Sequence, residues 1–430
     1  MRDAGYAALL VGGCVRDLLL GREPKDFDVV TDARPDEIRK LFHNARVIGR
    51  RFRLVHVRFG REIIEVATFR SAGAREWREA LEEDVEQGGG DAETSQAAAD
   101  TEEFAQEPID QNIFGTQEED AVRRDFTVNA LYYDIRDRSV IDYVGGMHDL
   151  RQGILRMIGD PEERYREDPV RMLRAVRFAA KLAFKIEART AAPFTSMGAL
   201  LLTVPPARMF EEVLKLFHGG YALETFELLR HYGLFQYLFP LTDENLAHEQ
   251  GGYPITLVPR AFGNTDARIN GGKPVTPAFL FAALLWEPVR ERMALAIANG
   301  AQHQDAFMRA IDEVLREQLK HTALPKRFSV PMREIWFLQS RFERRAGSQI
   351  PRLLAHPRFR AAYDFLLLRA ECGEVDQTLA DWWTRIQEVG EDERRRMASA
   401  LGPTPGGKRR RRRRKRSGRS ESRPTSGAHG

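Results

Sequence analysis

A glycine turn followed closely by two aspartates constrains the fold of this 430-residue chain more than any other feature. The turn is Gly12-Gly13, and the aspartates are Asp26 and Asp28. Residues two apart in a strand point to the same face, so the pattern predicts both carboxylates side by side on one short strand. Carboxylates bind hard cations, and glycine lets backbone N–H groups approach phosphate. The pattern therefore indicates phosphoryl or nucleotidyl transfer, although Asp-x-Asp is also common in turns that precede a strand.

The first 147 residues alternate strand-like and helix-like segments, which predicts a small mixed α/β domain. Residues 8–11 and 27–30 are typical of buried strands, and residues 54–59 and 62–67 predict a hairpin across Gly60-Arg61. A strand pair is predicted over residues 130–135 and 140–144. Between these strands, the acidic residues 71–111 predict a mobile insertion.

From residue 148 onward the pattern is mostly helical. It predicts a helical neck over residues 148–240, a helical body over 241–400 and a disordered basic tail over 401–430. Within the body, residues 243–275 are rich in Gly, Pro and Asn and predict an irregular connection. In the neck, Asp168 is predicted to cap a helix whose first residue is Pro169 and whose end lies near Phe184.

The neck helix carries a row of positive charges. Arg171, Arg174 and Arg177 are spaced by three residues, and Lys181 follows four residues later, so they share one helix face. Asp168 precedes Arg171 by about one turn, which predicts that the two side chains meet. Such a pair can present hydrogen-bond donors and acceptors to a base, and arginine binds phosphate bidentately. A solvated face opposite an apolar one is the alternative interpretation.

A third carboxylate would complete a metal site, and the sequence offers two candidates. Glu65 has apolar neighbours on a predicted strand, and its alternative role is a glutamate on the solvated face. Asp125 follows Arg123 and Arg124, and its alternative role is an ion pair with these arginines.

The last 23 residues, 408–430, contain eleven Lys/Arg and one Glu, which predicts an arm that binds polyanions through counterion release. Composition alone also permits nuclear import. With two cysteines, no signal peptide and no apolar run of transmembrane length, we expect a cytoplasmic protein with reduced thiols and no membrane span. The predicted RNA-binding residues of the arm are Arg409, Arg410, Arg411, Arg412, Arg413, Arg414, Lys415 and Arg416.

Five motifs, in order over residues 9–184, resemble those of the class II nucleotidyltransferases. That family comprises the CCA-adding tRNA nucleotidyltransferases and the bacterial poly(A) polymerases. The motifs are Leu10-Val11-Gly12-Gly13-Cys14-Val15-Arg16-Asp17, Asp26-Phe27-Asp28, Glu65-Val66-Ala67-Thr68-Phe69-Arg70, Arg123-Arg124-Asp125-Phe126-Thr127-Val128-Asn129-Ala130 and Glu167-Asp168-Pro169-Val170-Arg171. Residues 47–57, 164–182, 205–208, 264–268, 277–283 and 356–364 are similar to the poly(A)-adding branch, and the basic tail fits that branch. Cys14 departs from the pattern where a third glycine is common, and the chain begins almost at the first strand, before which the family usually has a helix.

The resemblance implies a palm-like catalytic α/β (α+β) domain followed by the helical neck, which recognises nucleotide, and an RNA-binding body. It implies template-independent addition of AMP from ATP to RNA 3′ ends, in mRNA polyadenylation and RNA decay. Two Mg²⁺ ions, or Mn²⁺, would be held by Asp26 and Asp28. Asp26, Asp28 and Asp125 would be the catalytic carboxylates, and Glu65 remains the alternative third carboxylate on physical grounds. The implied nucleotide-binding residues are Gly12, Gly13, Arg16, Arg123, Arg124, Asp168, Arg171, Arg174 and Arg177.

Two other functions share parts of this pattern. A CCA-adding enzyme would have the same catalytic motifs, so these motifs do not separate it from a poly(A)-adding enzyme. A non-catalytic RNA-binding protein with a degenerate transferase domain is the rival from another class, and the intact pair Asp26 and Asp28 argues against it.

Overall fold

The computed structural model describes residues 1–49, 53–71, 114–247, 249–250, 253–254, 256–343, 345 and 349–400. The chain divides into two compact units, Met1–Arg333 and Glu334–Gly430. The predictions made for the acidic insertion beyond residue 71 and for the basic tail lie outside the described residues, as do residues 50–52 of the segment similar to the poly(A)-adding branch.

A seven-stranded mixed sheet forms the start of the first unit, with strand order β3-β4-β5-β2-β1-β6-β7. Strand β1 is flanked by β2 and β6, and it is antiparallel to both. Strands β2 and β5 are the parallel neighbours of this sheet. The strands are β1 (Leu9–Val11), β2 (Asp28–Thr31), β3 (Ala45–Ile48), β4 (Leu54–Phe59), β5 (Glu62–Thr68), β6 (Leu131–Asp134) and β7 (Ser139–Asp142).

The predicted strands and hairpin of this domain are confirmed within one or two residues at their ends, while β3 was not predicted. Apolar side chains of the central strands, among them Leu9, Val11 and Val30, are buried with Phe69 and Tyr132 in one core cluster. Burial of this apolar surface holds the sheet together and leaves its polar positions at the strand ends.

The two ends of the acidic insertion lie side by side. Arg70 and Phe114 form an isolated antiparallel bridge, and the backbone N–H of Gly115 donates to the carbonyl of Phe69 at 3.0 Å. A Cβ at Gly115 would lie 2.6 Å from the backbone nitrogen of Ser71, so only glycine permits this approach. The two chain segments that flank residues 72–113 are therefore held together by backbone contacts.

The rest of the first unit is mostly helical, which confirms the predicted fold class of an α/β palm followed by helical regions. Its α-helices are Gly13–Leu19, Pro35–Leu41, Gln117–Val122, Gly146–Gln152, Pro161–Glu167, Val170–Leu182, Ala188–Ala191, Phe194–Met197, Pro206–Phe217, Ala222–His231, Phe235–Leu238, Pro240–Leu246, Leu257–Asn270, Pro277–Leu284, Trp286–Ala298 and His303–Gln318, and Lys326–Glu343 contains the boundary between the units. Two short strand pairs, Ile154–Leu155 with Lys185–Ile186 and Glu249–Gln250 with Tyr253–Pro254, complete it. None of the helices in the described ranges has the length and apolar character needed to cross a membrane.

Two predictions about helices need correction. The neck helix is Val170–Leu182, so it begins one residue later than predicted and Asp168 lies just before it. The predicted irregular connection over residues 243–275 contains the helix Leu257–Asn270. That helix forms because tertiary packing buries one of its faces, which outweighs its Gly and Asn content.

The second unit contains the helices Ile350–Leu354, Phe359–Glu371, Gln377–Glu388 and Glu391–Ala400. Its core is aromatic: the ring of Trp383 packs edge-on against Phe342 at 5.0 Å, and its indole N–H donates to the Phe342 carbonyl at 3.0 Å.

Candidate active site

The glycine turn links β1 to the helix Gly13–Leu19. Gly12 has φ +77°, in the region that favours glycine, and its N–H donates to the Leu131 carbonyl at 3.1 Å. A Cβ at Gly12 would lie 3.3 Å from Nη1 of Arg124. The turn therefore needs glycine for its conformation and for the close approach of an arginine.

The paired aspartates lie at the start of β2 and are both exposed. Asp28 is the first residue of the strand, whereas Asp26 lies just before it, so the prediction that both are strand residues is wrong for Asp26. Although Asp28 is exposed as a residue, partial burial of its carboxyl group raises its pKa, and the nearby charge of Glu65 adds to this effect. The positive charge of Arg124 acts in the opposite direction.

Glu65 lies beside Asp28 in the sheet. The parallel register of β2 and β5 pairs Asp28 with Glu65, and paired residues point to the same side of a sheet. An oxygen of Glu65 is 3.1 Å from Nε2 of His56, and the Glu65 side chain is 49% exposed. The register therefore places the carboxylate of Glu65 on the same side of the sheet as Asp28, and the Glu65 side chain also contacts solvent.

Asp125 is engaged by the neck helix. Its Oδ2 accepts from Nε of Arg174 at 2.9 Å and also from Nη2 of the same side chain. Its Oδ1 accepts from the backbone N–H of Phe126 at 2.8 Å and from Asn129 at 3.3 Å. Burial alone would raise the pKa of Asp125, but Arg174 and the other donors hold that pKa below its usual value. The expected alternative, an ion pair with Arg123 and Arg124, is not formed.

Arg123 and Arg124 instead share Asp120, a residue that the sequence did not single out. The buried Asp120 carboxylate accepts from Nε of Arg123 at 2.9 Å, from Nη2 of Arg124 at 3.0 Å and from the Tyr132 hydroxyl at 2.9 Å. The spacings of three and four residues on and after the helix Gln117–Val122 were the signal that would have identified it.

Arg70 adds a third positive charge to this group. Burial, and then the charge of Arg123, lowers the pKa of Arg70 to about 10. Asp120 acts in the opposite direction. We call Arg70, Arg123 and Arg124 the arginine cluster. The two guanidinium groups paired with the buried Asp120 carboxylate carry one positive charge more than it neutralises, which favours a bound anion.

Arg16, by contrast, lies in the interior. Only 2% of it is exposed. Its guanidinium pairs with Asp17 at 2.6 Å, donates to the side chain of Asn129 and lies over the Phe178 ring at 5.4 Å. The structure therefore places Arg16 behind the glycine turn and not on the exposed face with Asp26 and Asp28.

The predicted contact between Asp168 and Arg171 is not formed. Asp168 Oδ2 accepts from Nη2 of Arg208 at 2.7 Å, and Arg171 donates to Glu167 at 2.6 Å. Asp168 and Arg171 are three residues apart, but the side chain of each has another partner. Asp168 pairs with Arg208 because the helix Pro206–Phe217 brings Arg208 to the start of the neck helix.

The remaining charges of the neck helix are partly buried, so the solvated-face interpretation is wrong. Arg174 reaches Asp125 as described, and Lys181 pairs with Asp17 at 3.4 Å. Arg177 lies over the Phe178 ring at 4.4 Å, and its buried Nε has no hydrogen-bond partner among the described residues. Arg174 and Lys181 therefore contact the palm, whereas Arg171 pairs with Glu167 within the neck.

A further arginine, Arg164, ties the neck to the arginine cluster. Its Nη2 donates to the backbone carbonyls of Arg123 and Arg124 at 2.6 and 2.8 Å. Its Nη1 donates to Glu167 at 2.9 Å, and Glu167 also binds Arg171. The palm and the neck thus share one polar network around the site.

Among the described residues, no group of three or more His, Cys, Asp or Glu side chains is arranged to hold a metal ion by itself. Mg²⁺ is commonly bound through one or two carboxylates, with water and substrate phosphates completing its shell. The exposed pair Asp26 and Asp28, where Asp28 experiences the repulsion of Glu65, has the donor chemistry for such an ion.

Three stretches of the chain match known protein families. Residues 8–156 match the "Poly A polymerase head domain" and residues 183–246 the "Probable RNA and SrmB- binding site of polymerase A". Residues 299–417 match the "Polymerase A arginine-rich C-terminus". The first match contains the glycine turn, the paired aspartates and the arginine cluster.

Comparisons with individual proteins agree with these family matches. The chain is 48% identical over 415 residues to the poly(A) polymerase I of Salmonella typhi, which covers 95% of this chain and 85% of that relative. A CCA-adding enzyme of Lactobacillus helveticus is 35% identical over 229 residues, covering 53% of this chain and 50% of the relative. Among solved structures, the Bacillus stearothermophilus CCA-adding enzyme in complex with CTP has a TM-score of 0.55 at 25% identity, covering 93% of this chain and 80% of that one.

Proposed function

The chain belongs to the bacterial poly(A) polymerase I family, and from that premise we propose that it adds AMP from ATP to RNA 3′ ends without a template, releasing pyrophosphate. The observation that carries the proposal is the exposed pair Asp26 and Asp28 beside the Gly12 turn, with Arg124 against that turn. Carboxylates for metal and cations for triphosphate are the two groups that nucleotidyl transfer requires. Polyadenylation of mRNA and a role in RNA decay follow from the family resemblance.

Asp26 and Asp28 would hold Mg²⁺, or Mn²⁺, and Glu65 is our choice for the third carboxylate. The parallel register that pairs Glu65 with Asp28 supports this choice, while the engagement of Asp125 by Arg174 favours a positioning role for Asp125. Two bound ions would lower the pKa of the attacking 3′-hydroxyl and would neutralise charge on the leaving pyrophosphate. The protein's own carboxylates orient these groups on one face of the sheet.

The arginine cluster would receive the triphosphate. Its net positive charge and the proximity of Arg124 to the glycine turn support this assignment. Asp120 fixes the guanidinium planes of Arg123 and Arg124, so they bind without further ordering. Arg16 supports the turn from behind.

Asp168 and Arg171 would recognise the base, as the family resemblance implies. A carboxylate accepts from the N6 amino group of adenine, and a guanidinium donates to its ring nitrogen. In the present structure Asp168 and Arg171 are held by Arg208 and Glu167, so base binding has to proceed beside these existing contacts.

Replacing Asp26 or Asp28 with alanine tests the assignment. We expect each change to remove several kcal/mol of transition-state stabilisation, which corresponds to a loss of about 10³-fold or more in AMP incorporation. Extension of a labelled RNA with ATP is followed on a gel, and Mn²⁺ binding is followed separately by electron paramagnetic resonance. Asp36→Ala, an exposed aspartate of the same domain, is the matched control. Near-normal activity of both variants would refute the metal site.

Addition of CCA to tRNA is the second candidate, because a CCA-adding relative matches about half of the chain. Poly(A) addition is favoured since the poly(A) polymerase relatives match nearly all of it. Each nucleoside triphosphate supplied alone separates the two: long tails from ATP support poly(A) addition, and CTP use on tRNA supports the rival. The third alternative, a non-catalytic RNA-binding protein, is disfavoured by membership in this enzyme family. Absence of Mg²⁺-dependent pyrophosphate release would revive it.

A further inference from the structure

A row of polar side chains crosses the strands β4, β5 and β2 of the palm sheet. The antiparallel register of β4 and β5 pairs His56 with Glu65, and the parallel register of β5 and β2 pairs Glu65 with Asp28. Paired residues point to the same side of a sheet, so Glu65 lies between the histidine and the aspartate. A group on β4 can therefore act on the carboxylate that is the neighbour of Asp28.

His56 is hydrogen-bonded to that carboxylate. Its Nε2 lies 3.1 Å from Oε1 of Glu65. An ionised carboxylate only accepts hydrogen bonds, so Nε2 carries the proton and donates. Because β5 lies between β4 and β2, the donor reaches Glu65 from the side opposite Asp28. The contact uses Oε1 and does not engage the second oxygen, Oε2.

Glu65 needs such a donor if it is to help bind an ion. Its side chain is 49% exposed, and the terminal torsion of a glutamate is broad, so a free carboxylate would occupy many orientations. The like charge of Asp28 repels it as well. Binding of an ion would then have to overcome the loss of this side-chain freedom. A donor that is already in place removes part of that cost.

We propose that His56 is a positioning residue of the metal site, which holds the Glu65 carboxylate on the face of Asp28 so that Glu65 can share a divalent ion with the aspartates. This inference rests on the proposed function, specifically on Glu65 as the third carboxylate. Hydrogen-bond partners that orient metal-binding side chains typically contribute about 10–100-fold in metal affinity. The effect should therefore be measurable on the ion itself, without nucleotide or RNA.

Stability does not account for the contact. The side chain of His56 is 26% exposed and that of Glu65 is 49% exposed, and pairs at the surface contribute little to folding. Loss of the imidazole should leave the sheet intact, so a change in metal affinity can be attributed to the site. His56→Gln is the conservative variant, because the glutamine amide also carries an N–H donor at the end of its side chain.

Two other roles are open to a histidine at this place. An imidazole can itself bind a divalent ion, and it can contact RNA. As a direct ligand, His56 would affect metal affinity also when Glu65 is absent. As an RNA contact, it would change KM for RNA and leave metal affinity unchanged. A double-mutant cycle with Glu65 separates these roles, because coupling appears only if His56 acts through Glu65.

The test is the dissociation constant of Mn²⁺, measured on the full chain by electron paramagnetic resonance, for wild type, His56→Ala, His56→Gln, Glu65→Ala and the double alanine variant. We expect His56→Ala to raise Kd about tenfold and His56→Gln to raise it less. In the Glu65→Ala background, loss of His56 should not change Kd further. In AMP incorporation, kcat should fall in His56→Ala while KM for RNA stays constant. His43→Ala, which removes an exposed histidine of the same domain, is the matched control and should bind Mn²⁺ as wild type does.

An unchanged or lowered Kd in His56→Ala would overturn this inference alone, as would an undiminished effect in the Glu65→Ala background or an equal loss in His56→Gln. Wild-type affinity in Glu65→Ala would overturn it together with the choice of Glu65, while Asp26 and Asp28 would remain the site. A wild-type protein that neither binds Mn²⁺ nor adds AMP would overturn the proposed function as well. Urea unfolding establishes that each variant is folded, and His56→Gln provides the readout if the alanine variant fails to fold.

Discussion

Replacing Arg174 with alanine measures how firmly the neck helix is joined to the palm. The change removes two N–H donors from the Asp125 carboxylate, whose side chain is only 11% exposed. The backbone N–H of Phe126 and the amide of Asn129 remain as donors. The variant therefore leaves a buried negative charge with half of its former hydrogen bonds and without the guanidinium that pairs with it.

The expected loss of unfolding free energy is about 3 kcal/mol at neutral pH. Removing one partner of a buried ion pair typically costs about 3–5 kcal/mol. The lower end applies because the Arg174 side chain is 34% exposed and because two donors to Asp125 remain. Hydrogen bonds to charged groups contribute about 1.5–3 kcal/mol each, which leads to a similar value for the two that are lost.

The loss should depend on pH with a definite sign. In the wild type, Asp125 has a pKa below its unfolded value of about 3.9, so its stabilisation is present above that pH and is lost as the pH falls through the folded pKa. Without Arg174, burial becomes the dominant effect and raises the pKa of Asp125 above 3.9. The charged form is then penalised at pH 7, and protonation removes the penalty. The difference between variant and wild type should therefore shrink from pH 7 toward pH 4.

Urea unfolding followed by circular dichroism, at several pH values, provides the measurement. Arg166→Ala is the matched control: its guanidinium pairs with Glu162, but these side chains are 52% and 56% exposed. That control should lose between about 0 and 1 kcal/mol at any pH in this range. A loss below about 1 kcal/mol for Arg174→Ala at pH 7, or an equal loss at pH 7 and pH 4, would refute the reasoning.

Three other perturbations have defined outcomes. Because the charge of Glu65 adds to burial in raising the pKa of Asp28, Glu65→Gln should shift the acid limb of the pH–rate profile to lower pH, and an unshifted limb would contradict their proximity. Asp120→Asn should raise KM for ATP about tenfold, because Arg123 and Arg124 lose the charged acceptor that orients them; an unchanged KM would exclude the arginine cluster as the triphosphate site. Deletion of residues 408–430 should weaken RNA binding and flatten its dependence on salt while leaving KM for ATP unchanged, and a constant salt slope in filter binding would argue against the arm.

The palm strands could be predicted from the sequence because apolar runs between turn residues determine them locally. The pair Asp26 and Asp28 could also be predicted, because its spacing is a local feature of the sequence. The exact start of β2 could not be predicted. Strand β3, Ala45–Ile48, was missed because its burial alternates between exposed and half-buried residues, so it lacks a fully apolar run. The other edge strand, β7, was predicted, so the missing apolar run and not the edge position explains why β3 was missed.

Partner choice could not be predicted in the same way. Spacing of three residues suggested Arg171 for Asp168, but Arg208 reaches it from another helix. Glu65 meets Asp28 because two strands pair in parallel, a register that no local pattern specifies. Arg16 had the charge of a phosphate ligand, and only its burial showed that it supports the turn. Each of these contacts depends on segments that are distant in sequence.

The bridge between Arg70 and Phe114, with Gly115 against Ser71, has a consequence for how this domain tolerates change in length. A loop whose ends already meet is closed whatever its size, and for an unstructured loop each doubling of length alters the closure entropy by only about 0.6 kcal/mol. We therefore expect that a change in the number of residues between Ser71 and Phe114 alters the folding free energy only slightly. The same bridge makes this position a natural point for inserting a reporter domain into the enzyme.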